Sequence, residues 1–400
     1  MPVADVIREA LASQSFVRAM FEEGALLKKR YGAESVFDFS LGNPDVPPPQ
    51  AFYRVLRGMA ERAESGVHGY MPNAGFPEAR EALAGKISAE QGVSIDGSHV
   101  VMACGAAGGL NVVFKSILNP GDEVVVSKPY FMEYRPYAAN HGGRIVEAAS
   151  LQDFGLDIAA IEEKLSPQTA AVLINSPHNP TGRVYSRQSI AALAEVMARH
   201  GRRCGRMPYL VCDEPYREIA FDGIEVPPIL SAYSESIVVS SYSKSLSLPG
   251  ERAGYIAVGP GIGGKQELTG ALAYATRVLG FMNAPALMQR VVAALTSTTV
   301  DIDVYARRRA AFTGVLDEAG ISYATPQGTF FLFCEVPCGG DDYEFAGHLG
   351  KRRILGVPGS LFAMPGWIRF AYCVDESVIE ASRGAFVEAV ADWRGGLRGR

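Results

Sequence analysis

Short apolar, β-branched runs recur along the chain, and each ends in a cluster of small or polar residues. Val100 to Ala103 leads into Cys104-Gly105-Ala106-Ala107-Gly108, and Glu123 to Ser127 into Pro129-Tyr130-Phe131. Ala170 to Asn175 leads into Pro177-His178-Asn179-Pro180-Thr181-Gly182, and Tyr209 to Cys212 into Asp213-Glu214-Pro215-Tyr216. Ile237 to Val239 leads into Ser240-Ser241-Tyr242-Ser243-Lys244. Apolar runs of strand length without polar alternation read as strands buried on both faces. Helical patterns follow at about 105–117 and 187–200, so the class is α/β, with a mostly parallel sheet covered by helices on both faces. Ligands of such sheets lie beyond the carboxyl ends of the strands. The five ends deliver small amide donors, Phe131, Asn179, Asp213 with Tyr216, and Lys244 with Arg252 a little further on.

Around this centre, helical periodicity runs through Ile7, Leu11, Phe16, Met20, Leu26 and Leu27, and Phe37 to Leu41 alternates like a strand. Gly42-Asn43-Pro44 is a turn whose exposed amides suit a carboxylate. A helix at about 50–64, a turn-rich loop around Tyr70 and a helix at 77–91 precede the sheet. After it come a strand at 253–258, a helix with Tyr274 and Arg277, and one long helical pattern from about 284 to 319. Strands at 328–333, 354–358 and 367–372, with helices near 342–352 and at the end, read as a compact α+β unit. Four hundred residues exceed what one core usually holds. Two domains are therefore expected: a large one over 46–290 and a small one built from both chain ends, 1–45 with 291–400.

Hydrophobic residues make up 48% and charged residues 20% of the chain, the profile of a globular protein. A net charge of −5 without a long basic block argues against nucleic acid as a partner. No window approaches a membrane span, and the early Asp5, Arg8 and Glu9 do not fit a signal peptide. The six cysteines follow neither a disulfide framework nor a zinc spacing, so no metal is expected and the compartment expected is the cytoplasm.

A lysine at a strand end can be desolvated toward its neutral amine, the form that makes a Schiff base with an aldehyde. Ser241, Ser243 and Arg252 supply the donors a phosphate needs beside Lys244, and helix-start amides after Val100 to Ala103 suit the same anion. Together these are the parts for holding pyridoxal phosphate. Asp213 would pair with its pyridine nitrogen, and Asn179 and Tyr216 with its phenolic oxygen. Arg369, inside Trp367-Ile368-Arg369-Phe370, would fix a substrate carboxylate. Each group has a plainer reading taken singly: Lys244 in a solvated turn, Asp213 and Glu214 as a helix cap, Asn179 as a turn residue before proline. Phe131 would then be core and Arg369 a surface strand charge.

Over nearly its whole length the chain resembles the class I/II, fold-type I pyridoxal-phosphate aminotransferases, and is similar to aspartate aminotransferase of the bacterial type. The resemblance rests on Asn179-Pro180-Thr181-Gly182, Asp213-Glu214-Pro215-Tyr216, Ser241-Tyr242-Ser243-Lys244, Arg252-Ala253-Gly254-Tyr255 and Arg369-Phe370, in matching order. It implies a seven-stranded-type sheet in the large domain. Catalysis would fall to Lys244, Asp213 and Tyr216, Lys244 being both cofactor anchor and proton-moving base. Ser241, Ser243, Arg252 and the amides of Ala106 and Ala107 would hold the phosphate, and Phe131 would stack on the ring. Arg369, Gly42 and Asn179 would hold the α-carboxylate. Tyr70 matches a tyrosine that reaches a phosphate in the partner subunit, which implies a homodimer with shared active sites.

The implied reaction is ping-pong transfer of the amino group of an L-amino acid to a 2-oxo acid, with 2-oxoglutarate the expected acceptor. Arg277 lies near the region where dicarboxylate-specific members carry a second cation. The sequence departs from the pattern in two places. The turn Gly105-Ala106-Ala107-Gly108 lacks hydroxyl or lysine side chains, and Phe131 stands where tryptophan is common. The same parts could serve a C–S β-lyase, a decarboxylase or a ring-forming lyase, since the cofactor stabilises any carbanion at the α-carbon. A non-enzymatic regulatory module would need an appended DNA-binding domain, which is not expected here.

Overall fold

The computed structural model describes residues 3–5, 7, 8, 11, 24, 26–62 and 66–398. Phe16 and Met20 of the expected N-terminal helical pattern, Glu9, and residues 63 and 64 of the expected 50–64 helix lie outside them. The chain forms two compact units. Pro44–Asp303 with Thr325–Thr329 makes the larger; the described residues up to Asn43, Val304–Ala324 and Phe330 onward make the smaller.

The larger unit is built on a seven-stranded sheet. In spatial order its strands are Val100–Ala103, Gly254–Val258, Ser236–Ser241, Tyr209–Asp213, Thr169–Asn175, Glu123–Ser127 and Arg144–Ala148. Only Gly254–Val258 runs antiparallel to its neighbours. The inner strands are buried at nearly every position, the expected outcome for uninterrupted Val, Ile, Leu and Ala runs. Alternate residues serve opposite faces. Val172, Ile174, Leu210, Cys212 and Val238 share a core with Leu83 and Ile87 of the Pro77–Gln91 helix and Leu193 and Met197 of the Arg187–Cys204 helix. On the other face the Gly105–Ile117 helix lies so close that a β-carbon at Gly109 would come within 2.7 Å of Val239. Each such leucine or isoleucine, once enclosed, contributes roughly 1.5–3 kcal/mol.

The helical pattern expected from about 284 to 319 is two helices, Ala286–Ala293 and Ile302–Ala319. Between them Thr296-Ser297-Thr298-Thr299 offers hydroxyls that compete for backbone groups. Thr299 Oγ1 and the Val300 amide both donate to the Ser245 carbonyl, at 3.0 and 2.8 Å. Residues 291–303, expected with the small domain, accordingly fold with the larger unit, where Val291, Val292 and Leu295 join its core.

The smaller unit has a four-stranded antiparallel sheet, Val357–Pro358, Trp367–Ala371, Phe331–Glu335 and Tyr323–Ala324, and a parallel pair, Phe37–Asp38 with Ile354–Leu355. The stretch 354–358, expected as one strand, thus splits between two sheets at Gly356, where a β-carbon would come within 2.4 Å of the Phe370 ring. The strand expected over Phe37 to Leu41 is only two residues long. Phe39, Phe312, Phe370 and Phe386 form its aromatic centre, with ring centroids 4.5–6.4 Å apart.

Candidate active site

Parallel strands finish at one edge of the larger unit's sheet, and the register carries their last residues side by side. Asn175 pairs with Asp213, Ser241 with Gly254, and Ala103 with Gly254. The chain beyond Ser241 makes one helical turn, Tyr242–Ser245, that carries Lys244. The Ser245 carbonyl is the one held by Thr299 and Val300, so the lysine-bearing turn is fastened from behind.

Asp213 ends its strand buried, with the Tyr134 hydroxyl donating to Oδ2 at 2.7 Å. Its Oδ1 is enclosed without a hydrogen-bond partner among the described residues. Burial raises the carboxyl, the Tyr134 hydrogen bond opposes this, and the neighbouring Glu214 adds to it, leaving Asp213 pushed up to about 7. A buried carboxylate oxygen with no donor suits a protonated ring nitrogen, whose charge would hold the group ionised. In the cofactor-free chain the folded state keeps a proton that the unfolded state has released. The contribution of Asp213 to stability should therefore fall as pH rises from the ordinary carboxylate range to about 7 and be level above it, opposed below about 6.5 by buried His178, which burial pushes down to about 3. Denaturant unfolding of the cofactor-free parent and of Asp213→Asn between about pH 5 and pH 8 checks this: the stability difference between the two should fall up to about pH 7 and be level above it.

Asn179 and Tyr216 are both buried. The Asn179 amide donates to Asn175 Oδ1 at 2.6 Å, and Asn175 Nδ2 donates to the Asp213 carbonyl at 2.7 Å, so one side chain locks two strand-end turns together. Phe131 sits edge-on to Tyr134, centroids 5.6 Å apart.

Arg252 has a left-handed backbone, φ 53°, and donates to the Pro249 and Cys104 carbonyls at 2.7 and 3.3 Å. Its guanidinium lies against Gly105, where a β-carbon would come within 2.6 Å of Nη2 and where φ is +71°. The left-handed backbone favours glycine there. A permanent cation thus stands beside the first turn of Gly105–Ile117, whose opening amides, Ala106 and Ala107 among them, have no intrahelical acceptor and receive no side-chain cap from Cys104. Ser241 and Ser243 are buried in their turn. Cation, helix start and hydroxyls make a set that fits a phosphate dianion.

Tyr70 is 91% exposed, yet its loop is pinned. Asn283 Nδ2 donates to the Pro72 carbonyl at 3.0 Å, Gln289 Nε2 to Met71 Sδ at 2.9 Å, and Arg290 Nη1 to the Val67 carbonyl at 2.8 Å. Arg277 is exposed on the Lys265–Val278 helix.

Arg369 and Gly42 belong to the smaller unit. Arg369 is buried rather than a surface strand charge; Nη2 donates to the Ser40 carbonyl at 3.0 Å, and its guanidinium carbon lies 4.3 and 4.8 Å from the Phe331 and Phe362 ring centroids. A β-carbon on Gly42 would come within 2.7 Å of that same Phe331 ring.

Sequence reading missed Tyr134, Asn175 and Tyr137. Burial pushes the Tyr137 hydroxyl up to about 12, with the charges of Glu133, Asp213 and Arg252 acting on it. A polar residue closing a buried strand was the signal for Asn175; Tyr134 and Tyr137 had none beyond an aromatic cluster following Phe131. Among the described residues no three His, Cys, Asp or Glu side chains gather as a metal site requires.

The family model for aminotransferase class I and II matches residues 34–385. The aspartate/prephenate aminotransferase of Thermus thermophilus is 30% identical over 377 residues, covering 92% of this chain and 94% of its own. The aspartate aminotransferase of Thermotoga maritima is 28% identical, covering 89% and 91%. The crystal structure of an amino transferase from Eubacterium rectale superposes with a TM-score of 0.94 at 34% identity, over 98% of this chain and 99% of that one.

Proposed function

Because the chain belongs to the class I and II aminotransferases, whose members use pyridoxal phosphate, we propose that the strand-end site of the larger unit holds this cofactor through Lys244 and Asp213. The observation that carries the proposal is the Asp213 carboxylate, buried, with one oxygen held by Tyr134 and the other facing no donor among the described residues. Bound there, the cofactor supplies an electron sink that acidifies the α-hydrogen of an amino acid. Lys244 would anchor the cofactor aldehyde, and its Nζ would hold and move the proton of the substrate α-carbon. Asp213 would keep the ring nitrogen protonated, while Tyr216 and Asn179 would donate to the phenolic oxygen. Arg252, Ser241, Ser243 and the Ala106 and Ala107 amides would hold the phosphate, and Phe131 would lie against the ring.

Arg369, whose guanidinium shares the Phe331 ring with Gly42 in the smaller unit, would take the substrate α-carboxylate. Replacing Arg369 with alanine should raise the amino-acid KM about 100-fold while bound cofactor stays at the parent level, as loss of a bidentate arginine–carboxylate pair predicts. Steady-state kinetics beside cofactor absorbance separates this from cofactor loss, which would misplace Arg369. An exposed tyrosine on a pinned loop supports a homodimer in which Tyr70 of each copy completes the other's phosphate site. The six free thiols support a reducing cytoplasm. No described helix is long and apolar enough to cross a membrane.

The reaction reads as ping-pong transfer from an L-amino acid to a 2-oxo acid, with 2-oxoglutarate as acceptor. The relatives' names make aspartate the first donor to test and prephenate a second oxo acid to try beside 2-oxoglutarate. The decisive experiment titrates the purified holoprotein's absorption spectrum with single amino acids and no oxo acid. Conversion of the aldehyde-form band to the amine-form band by particular amino acids is the expected result. A cofactor band that none converts would overturn the transfer reading, and no band after added pyridoxal phosphate would overturn the site.

A further inference from the structure

We propose that the Pro77–Gln91 helix, through Lys86 and Gln91, sets the position of Asp213 and Tyr216, making Lys86 and Gln91 positioning residues for the reaction. This rests on the cofactor reading above and names residues it does not include.

The segment from Asp213 to Glu218 divides its side chains. Asp213 and Tyr216 are the proposed cofactor contacts; Glu214, Arg217 and Glu218 are tied elsewhere. Lys86 Nζ donates to Glu90 at 2.6 Å and to Glu218 at 2.7 Å, with only 10% of its side chain exposed. Gln91 Nε2 donates to Glu214 Oε2 at 3.0 Å, while its Oε1 accepts the Ile229 and Leu230 amides at 2.7 and 3.2 Å. Arg217 completes the tie, donating to Glu214 at 3.0 Å and to the Glu90 and Val226 carbonyls at 2.9 and 2.8 Å. Tyr216 therefore sits in a turn whose flanking residues are bolted to one helix. The lysine turn meets the same network: Tyr242, two residues before Lys244, is buried within the field of Lys86, Glu90 and Glu218, and packs near Tyr255.

None of these ion pairs includes a group assigned to the cofactor, so any effect on chemistry must pass through Asp213, Tyr216 or the lysine turn. Reaction rates are sensitive to small misplacements of such groups, and the ties to Glu214, Arg217 and Glu218 hold the turn although Glu214 Oε1 and the Tyr242 hydroxyl are enclosed without a hydrogen-bond partner among the described residues.

The test compares Lys86→Met and Lys86→Arg holoprotein with the parent. In Lys86→Met the pH midpoint of the bound cofactor's visible absorbance should rise by about one unit, the size that loss of one hydrogen bond to a charged oxygen carries. Its kcat should fall about tenfold with KM within twofold. Lys86→Arg should restore both. A Lys86→Met protein with parental midpoint and kcat, whether or not its melting temperature drops, overturns the proposal. If that variant does not fold, Glu218→Gln is judged by the same midpoint and kcat. A parent with no cofactor absorbance would instead sink the cofactor reading itself.

Discussion

Lys244→Ala is expected to abolish turnover, lowering kcat/KM by at least about 10⁴-fold, because it removes the amine proposed as both cofactor anchor and proton carrier. The loss should exceed that of any other single substitution in the site. The turn that bears Lys244 is fixed by its own helix, by the strand before it and by Thr299 and Val300 at the Ser245 carbonyl, so alanine should leave the fold intact. Two measurements check it: assays with an amino acid and 2-oxoglutarate, and borohydride trapping of pyridoxal phosphate followed by peptide mass. The parent should carry the label on the peptide containing Lys244 and the variant should carry none. A variant that keeps parental turnover would remove Lys244 from the chemistry.

The second large effect is expected at Asp213. Asp213→Asn keeps the shape and an acceptor for the Tyr134 hydroxyl, yet takes away the charge that would keep the ring nitrogen protonated. We expect kcat/KM to fall about 10³-fold, the upper end for removing one preorganised electrostatic partner. Cofactor should remain attached through Lys244. An asparagine variant within threefold of the parent would mean that the unpartnered Asp213 oxygen faces something other than a cation.

The two variants also separate what pattern and packing each contribute. Lys244, Asp213, Asn179, Tyr216, Arg252 and Arg369 were readable as candidates because each belongs to a local motif: a strand end, a turn or an arginine inside an apolar strand. Tyr134, Lys86 and Gln91 were not. Tyr134 meets Asp213 across 79 positions of chain, and Lys86 meets Glu218 across 132. No local periodicity marks a polar side chain on a helix as facing a distant carboxylate. The same limit explains the misread stretch at 284–319, where helix-compatible residues yielded their backbone to the Ser245 carbonyl.

The order of buried strands and helices, the parallel character of the sheet, and the residue types gathered at its carboxyl edge were determined by sequence alone, since burial on both faces and strand-to-helix alternation are written in consecutive residues. Tertiary structure alone decided that Asp213 has one oxygen held and one without a partner among the described residues, that Arg252 stands over the glycine opening the Gly105–Ile117 helix, that Arg369 is buried between aromatic rings, and that the 291–303 stretch joins the larger unit. These depend on which distant side chains share a desolvated space, and in that space the pairing of a polar atom outweighs local propensity.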